Sequence, residues 1–220
     1  MIEYTKPGFF DRIVEAYSIL RKGTSPRIRT LEAQAAIDGL TRLWNRRAFD
    51  LRLHSVIYDR RRDPDNRTNN RRSKKNPDRR ENQLELLLTI ADIDNFKLIN
   101  DEYGHPAGDH VIIGYANRLK EEVRSQESQI FRIGGEEFSI ISLTSISALI
   151  LAERLVRGIN SRKFVSNGKE IEVTTSIGIA VYDIKEPISA EEFYKRADKA
   201  LYKSKIDGRN RATIWTPQIK

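Results

Sequence analysis

Two pairs of acids stand out in the chain. Asp92 and Asp94 close the apolar run Leu84–Asp94, "LELLLTIADID". Two residues apart on a strand, they project to one face of a sheet. A carboxylate at the end of a buried strand is costly unless a cation or hydrogen bonds meet it. The second pair, Glu136 and Glu137, follows two glycines in "FRIGGEEFSII" (Phe131–Ile141), an apolar hairpin pattern. Glycines at a hairpin tip accept positive φ without a Cβ clash, but adjacent carboxylates repel each other. If this hairpin lies beside the 84–94 strand, its glutamates reach the edge that holds Asp92. Three carboxylates meeting without a matching basic cluster require a hard divalent cation, magnesium or manganese. Magnesium commonly takes one or two carboxylates plus substrate phosphates, and two such ions can clamp the attacking and leaving oxygens of a phosphoryl transfer. The competing explanation, acids that cap turns and bond surface lysines, serves for any one of them but accounts less well for the set around two glycines.

The elements that must position these acids are legible in outline. Helical spacing runs over residues 7–21, and a second helix is expected from Pro26, after a Ser25 cap, to about Ile37. "DGLTRLWN" reads as a turn before a third helix that starts at Arg46. The 84–94 run is a buried central strand. A helix follows from Pro106 to about Arg124, then the hairpin Gln129–Gly134 and Glu137–Leu143, then a helix from about Ser145 to Asn160. Two or three strands with an Asn167–Gly168 turn come next, then a helix from Ser189 to Lys205 and a closing strand in "RATIW". This order implies an α+β fold, one mostly antiparallel sheet covered by helices.

Composition narrows the class. The 220 residues contain no cysteine, so disulfides and thiolate metal sites are excluded. No apolar stretch approaches the roughly 18 residues of a membrane helix, and the N-terminus lacks the pattern of a signal peptide, so a cytoplasmic protein is expected. The net charge of +8 is concentrated: residues 60–80 carry ten Lys/Arg and three Asp, a net +7. That tract has no aliphatic residue and reads as a flexible insertion. A nucleic acid or an acidic partner is its alternative use, although no aromatics are interleaved with the basic residues.

Five blocks in order resemble one family. "GGEEF" (Gly134–Phe138) is similar to the signature of GGDEF-domain diguanylate cyclases. "DGLTRLWNRRAFD" (Asp38–Asp50), "DIDNFKLINDEYGHPAGD" (Asp92–Asp109), "SIGIAVY" (Ser176–Tyr182) and "RADKALYKSKIDGRNR" (Arg196–Arg211) match its other blocks. The resemblance spans about Asp38 to Trp215. It implies a palm-like, ferredoxin-like catalytic domain over 38–220, preceded by a helical extension over 1–37 that serves dimerisation or input. It also implies condensation of two GTP into cyclic di-GMP with release of two pyrophosphates. Magnesium, two ions per site, would be held by the Asp92 side chain, the Ile93 carbonyl and Glu136, with Glu137 a helper at the second ion. Glu136 would accept the proton of the attacking 3′-hydroxyl. Lys97 and the amides around Asn95, Phe96 and Lys97 would meet the triphosphate, as would Lys205 and Arg209, and a side chain at Gly134 or Gly135 would obstruct the nucleotide. Guanine would be read by Asn100 and Asp109, since a carboxylate accepts from both donors on its Watson–Crick edge; His105 falls in the same block. One site holds one GTP, so two domains must face each other, at least transiently, as a homodimer.

Departures from the family pattern also carry expectations. The inhibitory product site, R-x-x-D five residues before the glycine pair, is replaced by Ser125 and Ser128, so no intact inhibitory site is expected. Two other functions are compatible with the same blocks: a catalytically silent nucleotide receptor, and a nucleic-acid binder acting through residues 60–80. Degenerate members usually lose the acidic or base-reading residues, and this chain keeps them.

Overall fold

The computed structural model describes residues 35–62, 84–123 and 128–219. Its centre is strand β2 (Glu85–Ile93), in which every residue after Glu85 is buried. A strand so uniformly apolar needs cover on both faces, and two separate clusters provide it. With β1 (Trp44–Asn45), β3 (Gln129–Arg132), β4 (Glu137–Thr144), β7 (Thr175–Val181) and β8 (Arg211–Ile214), β2 forms a six-stranded sheet in the order β1-β3-β4-β2-β7-β8. The central pairings β3–β4, β4–β2 and β2–β7 are antiparallel, whereas the outer pairs β1–β3 and β7–β8 are parallel. A small hairpin, β5 (Phe164–Ser166) with β6 (Lys169–Ile171), stands apart.

Helices α1 (Arg46–Arg62), α2 (Phe96–Tyr103), α3 (His105–Glu122), α4 (Ala148–Asn160) and α5 (Ala190–Ile206) cover this sheet. Leu87, Ala91 and Ile93 of β2 pack with Tyr115, Leu119, Leu151 and Leu155 of α3 and α4. The alternate residues Leu86, Leu88 and Ile90 pack with Phe49, Leu53, Phe193, Ala197 and Leu201 of α1 and α5. The period of two in the strand therefore divides the core between two helical layers. Both α4 and α5 start on a serine whose hydroxyl accepts an amide of the first turn, Ser147 from Ile150 and Ser189 from Glu192. Acids Glu191 and Glu192 open α5 and Lys203 and Lys205 close it, in the sense its dipole favours.

The structure departs from these expectations at four points. The helix placed over Pro26–Ile37 does not reach its end: Ala35 and Ala36 form a turn, and Ile37 bridges to Trp44. Residues 96–103, to which the sequence assigns no element, form α2, a helix that precedes the one placed from Pro106 and is separated from it by Gly104 (φ 84°). Strand β2 ends at Ile93, one residue short of Asp94, yet Asp94 keeps to the face of Asp92: it accepts from Ser176, the residue opposite Asp92. Gly134 and Gly135 do not have positive φ, so neither glycine of the hairpin tip serves a left-handed turn. The 1–34 extension, the basic residues 63–80 and Ser125 lie outside the described residues; Arg60–Arg62 are the last residues of α1.

Candidate active site

Antiparallel pairing brings the end of β2, the start of β4 and the start of β7 to one sheet edge. Asp92 lies directly opposite Glu137 on one side and Ser176 on the other. Residues directly opposed across an antiparallel pair project to the same face. Just outside the strand, the Glu136 carbonyl accepts the Ile93 amide at 3.3 Å. The two acid blocks therefore meet, as the hairpin pattern requires.

Asp92 is only 7% exposed, and its Oδ2 lies 2.9 Å from Lys205 Nζ at the end of α5. Burial pushes its carboxyl up to about 6, against the lysine, with Glu136 and Glu137 adding to the rise. The acids are thus not without a basic partner, which corrects the expectation from sequence. Among the described residues, no group of three acidic or histidine side chains is arranged to hold a metal ion. What the edge presents is a buried carboxylate with two further carboxylates acting on it and one lysine at its oxygen. Such an oxygen set fits a hard divalent cation.

Asp94 is used differently. It is 4% exposed, and its carboxylate accepts hydrogen bonds from Thr174 Oγ1 (2.7 Å), Ser176 Oγ (2.6 Å) and the Asn210 amide (3.0 Å).

The hairpin tip has its own ties. A Cβ on Gly134 would sit 2.6 Å from Glu137 Oε2, whereas one on Gly135 would meet nothing within 4 Å. Gly134 thus makes room for a glutamate of its own hairpin, and Gly135 borders open space at the edge. Arg132 donates from Nη2 and Nε to the Gly135 carbonyl (2.7 and 3.0 Å) and from Nη1 to both oxygens of Asp38. Asp38 also accepts the amide and hydroxyl of Thr41, and its carboxyl lies below the ordinary value because those bonds and Arg132 outweigh its burial. The first sequence block is thereby clamped to the "GGEEF" tip, a tie that sequence reasoning missed. An arginine two residues before the glycine pair was its only local signal.

Helices α2 and α3 form the other wall. Asn95, in the left-handed region (φ 54°), turns the chain from β2 into α2, and the first amides of that helix, at Phe96 and Lys97, fall where a helix offers no internal acceptor. Lys97 is exposed, and Asn100 follows one turn later. A Cβ on Gly108 of α3 would lie 2.0 Å from Asn100 Oδ1 and 3.1 Å from Phe96 Cζ. Glycine at 108 therefore lets the Asn100 amide pack against α3, one residue from the exposed Asp109. His105 is exposed in the first turn of α3. If Asn100 reads guanine, as the family resemblance implies, changing Gly108 to Ala should displace it and weaken guanine-nucleotide binding by about tenfold, the worth of one lost polar contact. Calorimetric titration with GMP measures the effect, and unchanged affinity would remove Asn100 from the base site.

Arg209 is exposed in a left-handed turn after α5 (φ 61°). At the opposite end of the hairpin, Ser128 Oγ donates to Ser142 Oγ at 3.0 Å, so a small hydroxyl tied to β4 occupies the position where the inhibitory motif has its aspartate.

The chain is similar to known proteins over most of its length. Residues 65–211, more than half of the chain, match the family model described as "Diguanylate cyclase, GGDEF domain". The chain is 41% identical over 131 residues to Diguanylate cyclase A of Treponema denticola, covering 59% of this chain and 35% of that protein. It is 33% identical over 181 residues to Diguanylate cyclase DgcS of Shewanella oneidensis, covering 82% of this chain and 53% of that protein. It thus spans only about a third to a half of the length of these curated relatives. Among solved structures, the GGDEF domain of DgcB from Caulobacter crescentus in complex with c-di-GMP is 31% identical, with a TM-score of 0.66, covering 82% of this chain and 95% of that one.

Proposed function

The chain belongs to the GGDEF family, and on that premise we propose that it is a diguanylate cyclase. It would join two GTP into cyclic di-GMP, each 3′-oxygen attacking the α-phosphate of the other nucleotide and each transfer releasing pyrophosphate. The observation that supports this most is Asp92: a buried carboxylate, opposite Glu137 across the β2–β4 pair and held at its oxygen by Lys205. It is a costly arrangement that a divalent ion and a triphosphate would repay.

Each residue has a proposed part. Asp92, the Ile93 carbonyl and Glu136 would hold magnesium or manganese, with Glu137 at a second ion, and the metal supplies charge neutralisation on the triphosphate. Glu136 takes the proton from the attacking 3′-hydroxyl. Lys205, released from Asp92 when that carboxylate binds metal, turns to the phosphates, where it joins Arg209, Lys97 and the amides of residues 95–97. Asn100 and Asp109 read guanine, His105 supports their loop, and Gly135 leaves the approach open. Each site engages one GTP, so the reaction requires a homodimer, if only during turnover. With Ser128 in place of an aspartate, product would not inhibit through the family's arginine–aspartate motif. The test is incubation with GTP and magnesium and identification of the product by mass. A folded protein that yields no cyclic di-GMP refutes the proposal.

The burial of Asp92 gives a pH-dependent prediction. Its carboxyl rises from 3.8 to about 6 on folding. Between those values the folded state holds a proton that the unfolded chain releases. Without metal, stability therefore falls as pH rises from about 4 through 6, by up to about 3 kcal/mol, and stays lower above that range. Magnesium at pH 8 should recover much of the loss, and Asp92→Asn should gain stability at that pH while losing metal response. Thermal melts with and without magnesium at pH 5 and pH 8 read this directly. Equal magnesium shifts at both pH values would contradict it.

A further inference from the structure

The turn after α5 is unusual. Gly208 (φ 109°) follows the Asp207 cap as an ordinary left-handed helix terminator, with the Arg209 amide bonded back to the Ser204 carbonyl. The next two residues, Arg209 (φ 61°) and Asn210 (φ 50°), are also left-handed. That conformation is uphill for residues with a side chain, and two in a row persist only when surrounding contacts hold them. The holder is visible: the Asn210 amide donates to Asp94 Oδ2, and the Asn210 side-chain oxygen accepts from Asn160 Nδ2 of α4 at 2.6 Å. Asp94 is in turn fixed by the hydroxyls of Thr174 and Ser176 at the start of β7. Among the described residues, no arginine or lysine forms an ion pair with it. The buried charge is satisfied by hydrogen bonds alone.

We propose that Asp94 is a positioning residue for triphosphate: it locks the left-handed turn so that Arg209 is held at the edge where Lys205 meets Asp92. This rests on the reading of that edge as a GTP site. Asp92 and Asp94, paired in the sequence, thus divide the work between the metal side and the phosphate side. Asp94 itself touches no substrate. Its carboxylate fixes the backbone from which Arg209 projects, which lowers the entropy lost when the guanidinium meets phosphate and so raises affinity without adding a contact.

The inference separates from a structural role by comparing ligands. Affinity is measured for GMP and for α,β-methylene-GTP, whose scissile oxygen is replaced by carbon. Asp94→Ala should weaken α,β-methylene-GTP by about tenfold, the worth of one charge-assisted contact, and leave GMP unchanged. In an Arg209→Ala background the same change should cost nothing further, because the two residues act as a unit. Asp94→Asn, which keeps an acceptor for the Asn210 amide, should restore most of the affinity. Ser176→Ala, a milder loosening of the same carboxylate, serves if Asp94→Ala does not fold. Equal losses for both ligands, or additive losses with Arg209→Ala, overturn the proposal. If the wild-type chain binds the analogue but makes no cyclic di-GMP, the cyclase assignment fails while the positioning role is still decided by these affinities. Absence of analogue binding to the wild-type chain overturns both.

Discussion

Replacing Glu136 with alanine is expected to lower cyclic di-GMP synthesis by about 1000-fold or more while the fold survives. The size follows from the two parts assigned to this carboxylate. Loss of a general base costs about 100- to 10000-fold by itself, and weakening a metal's oxygen set removes further charge stabilisation. The fold should tolerate the change because the hydrogen bond that anchors this residue uses its backbone carbonyl, which accepts from Ile93. Glu136 also raises the Asp92 carboxyl by repulsion, so removing it relieves a buried charge. The melting temperature of the metal-free variant should therefore match or exceed the parent's. Glu137→Ala should cost less activity, since Glu137 lies folded against Gly134 and serves the second ion in this scheme. Product measured by mass at saturating GTP, together with a thermal melt, decides the matter. Activity within tenfold of the parent in a folded Glu136→Ala protein would remove both roles.

What could be read from the chain beforehand was whatever is encoded locally. The apolar run at 84–94, the Asn167–Gly168 turn and the serine start of α5 each carry their cause within a few residues, and each lies where expected. Helix α2 was not legible because its cap is a left-handed Asn95 with no side-chain bond, and its eight residues end at a glycine that reads as a break. The spacing of Asp92 and Asp94 held even past the strand's end at Ile93: Asp94 accepts from Thr174 and Ser176, and Ser176 lies opposite Asp92. The Lys205–Asp92 contact and the Arg132–Asp38 clamp join residues 113 and 94 positions apart. The first comes from docking of α5 on the sheet and the second from pairing of β1 with β3, so both depend on tertiary structure and not on neighbours in the chain. The acids of the candidate site were legible from their own spacing; the contacts that restrain them were not.

One of those restraints rests on a single glycine. Gly178 lies in β7 beneath α5, and a Cβ there would stand 2.2 Å from both the Ala197 carbonyl oxygen and the Leu201 amide nitrogen. These are backbone atoms of a helix, so no rotamer change relieves the clash. The small residues that α5 buries here, Ala197, Ala200 and Ser204, fit the same close approach, and Ser204 donates to the Ile177 carbonyl at 2.7 Å. Gly178→Ala must lift α5 from the sheet by an ångström or more, which opens the packing of Phe193 and Leu201 against Leu88 and Ile90. Overpacking of this kind costs about 1–3 kcal/mol where side chains can adjust and more where backbone must move. About 4 kcal/mol is expected here, a large part of the 5–15 kcal/mol available to a domain of this size. Gly178→Val should not fold at all. For Gly178→Ala, urea unfolding gives the stability. The surviving folded fraction should also bind α,β-methylene-GTP poorly, because the helix that moves carries Lys205 away from Asp92 and shifts the turn of Arg209. A Gly178→Ala protein with parental stability and affinity would show that α5 is not seated as closely on β7 as these distances require.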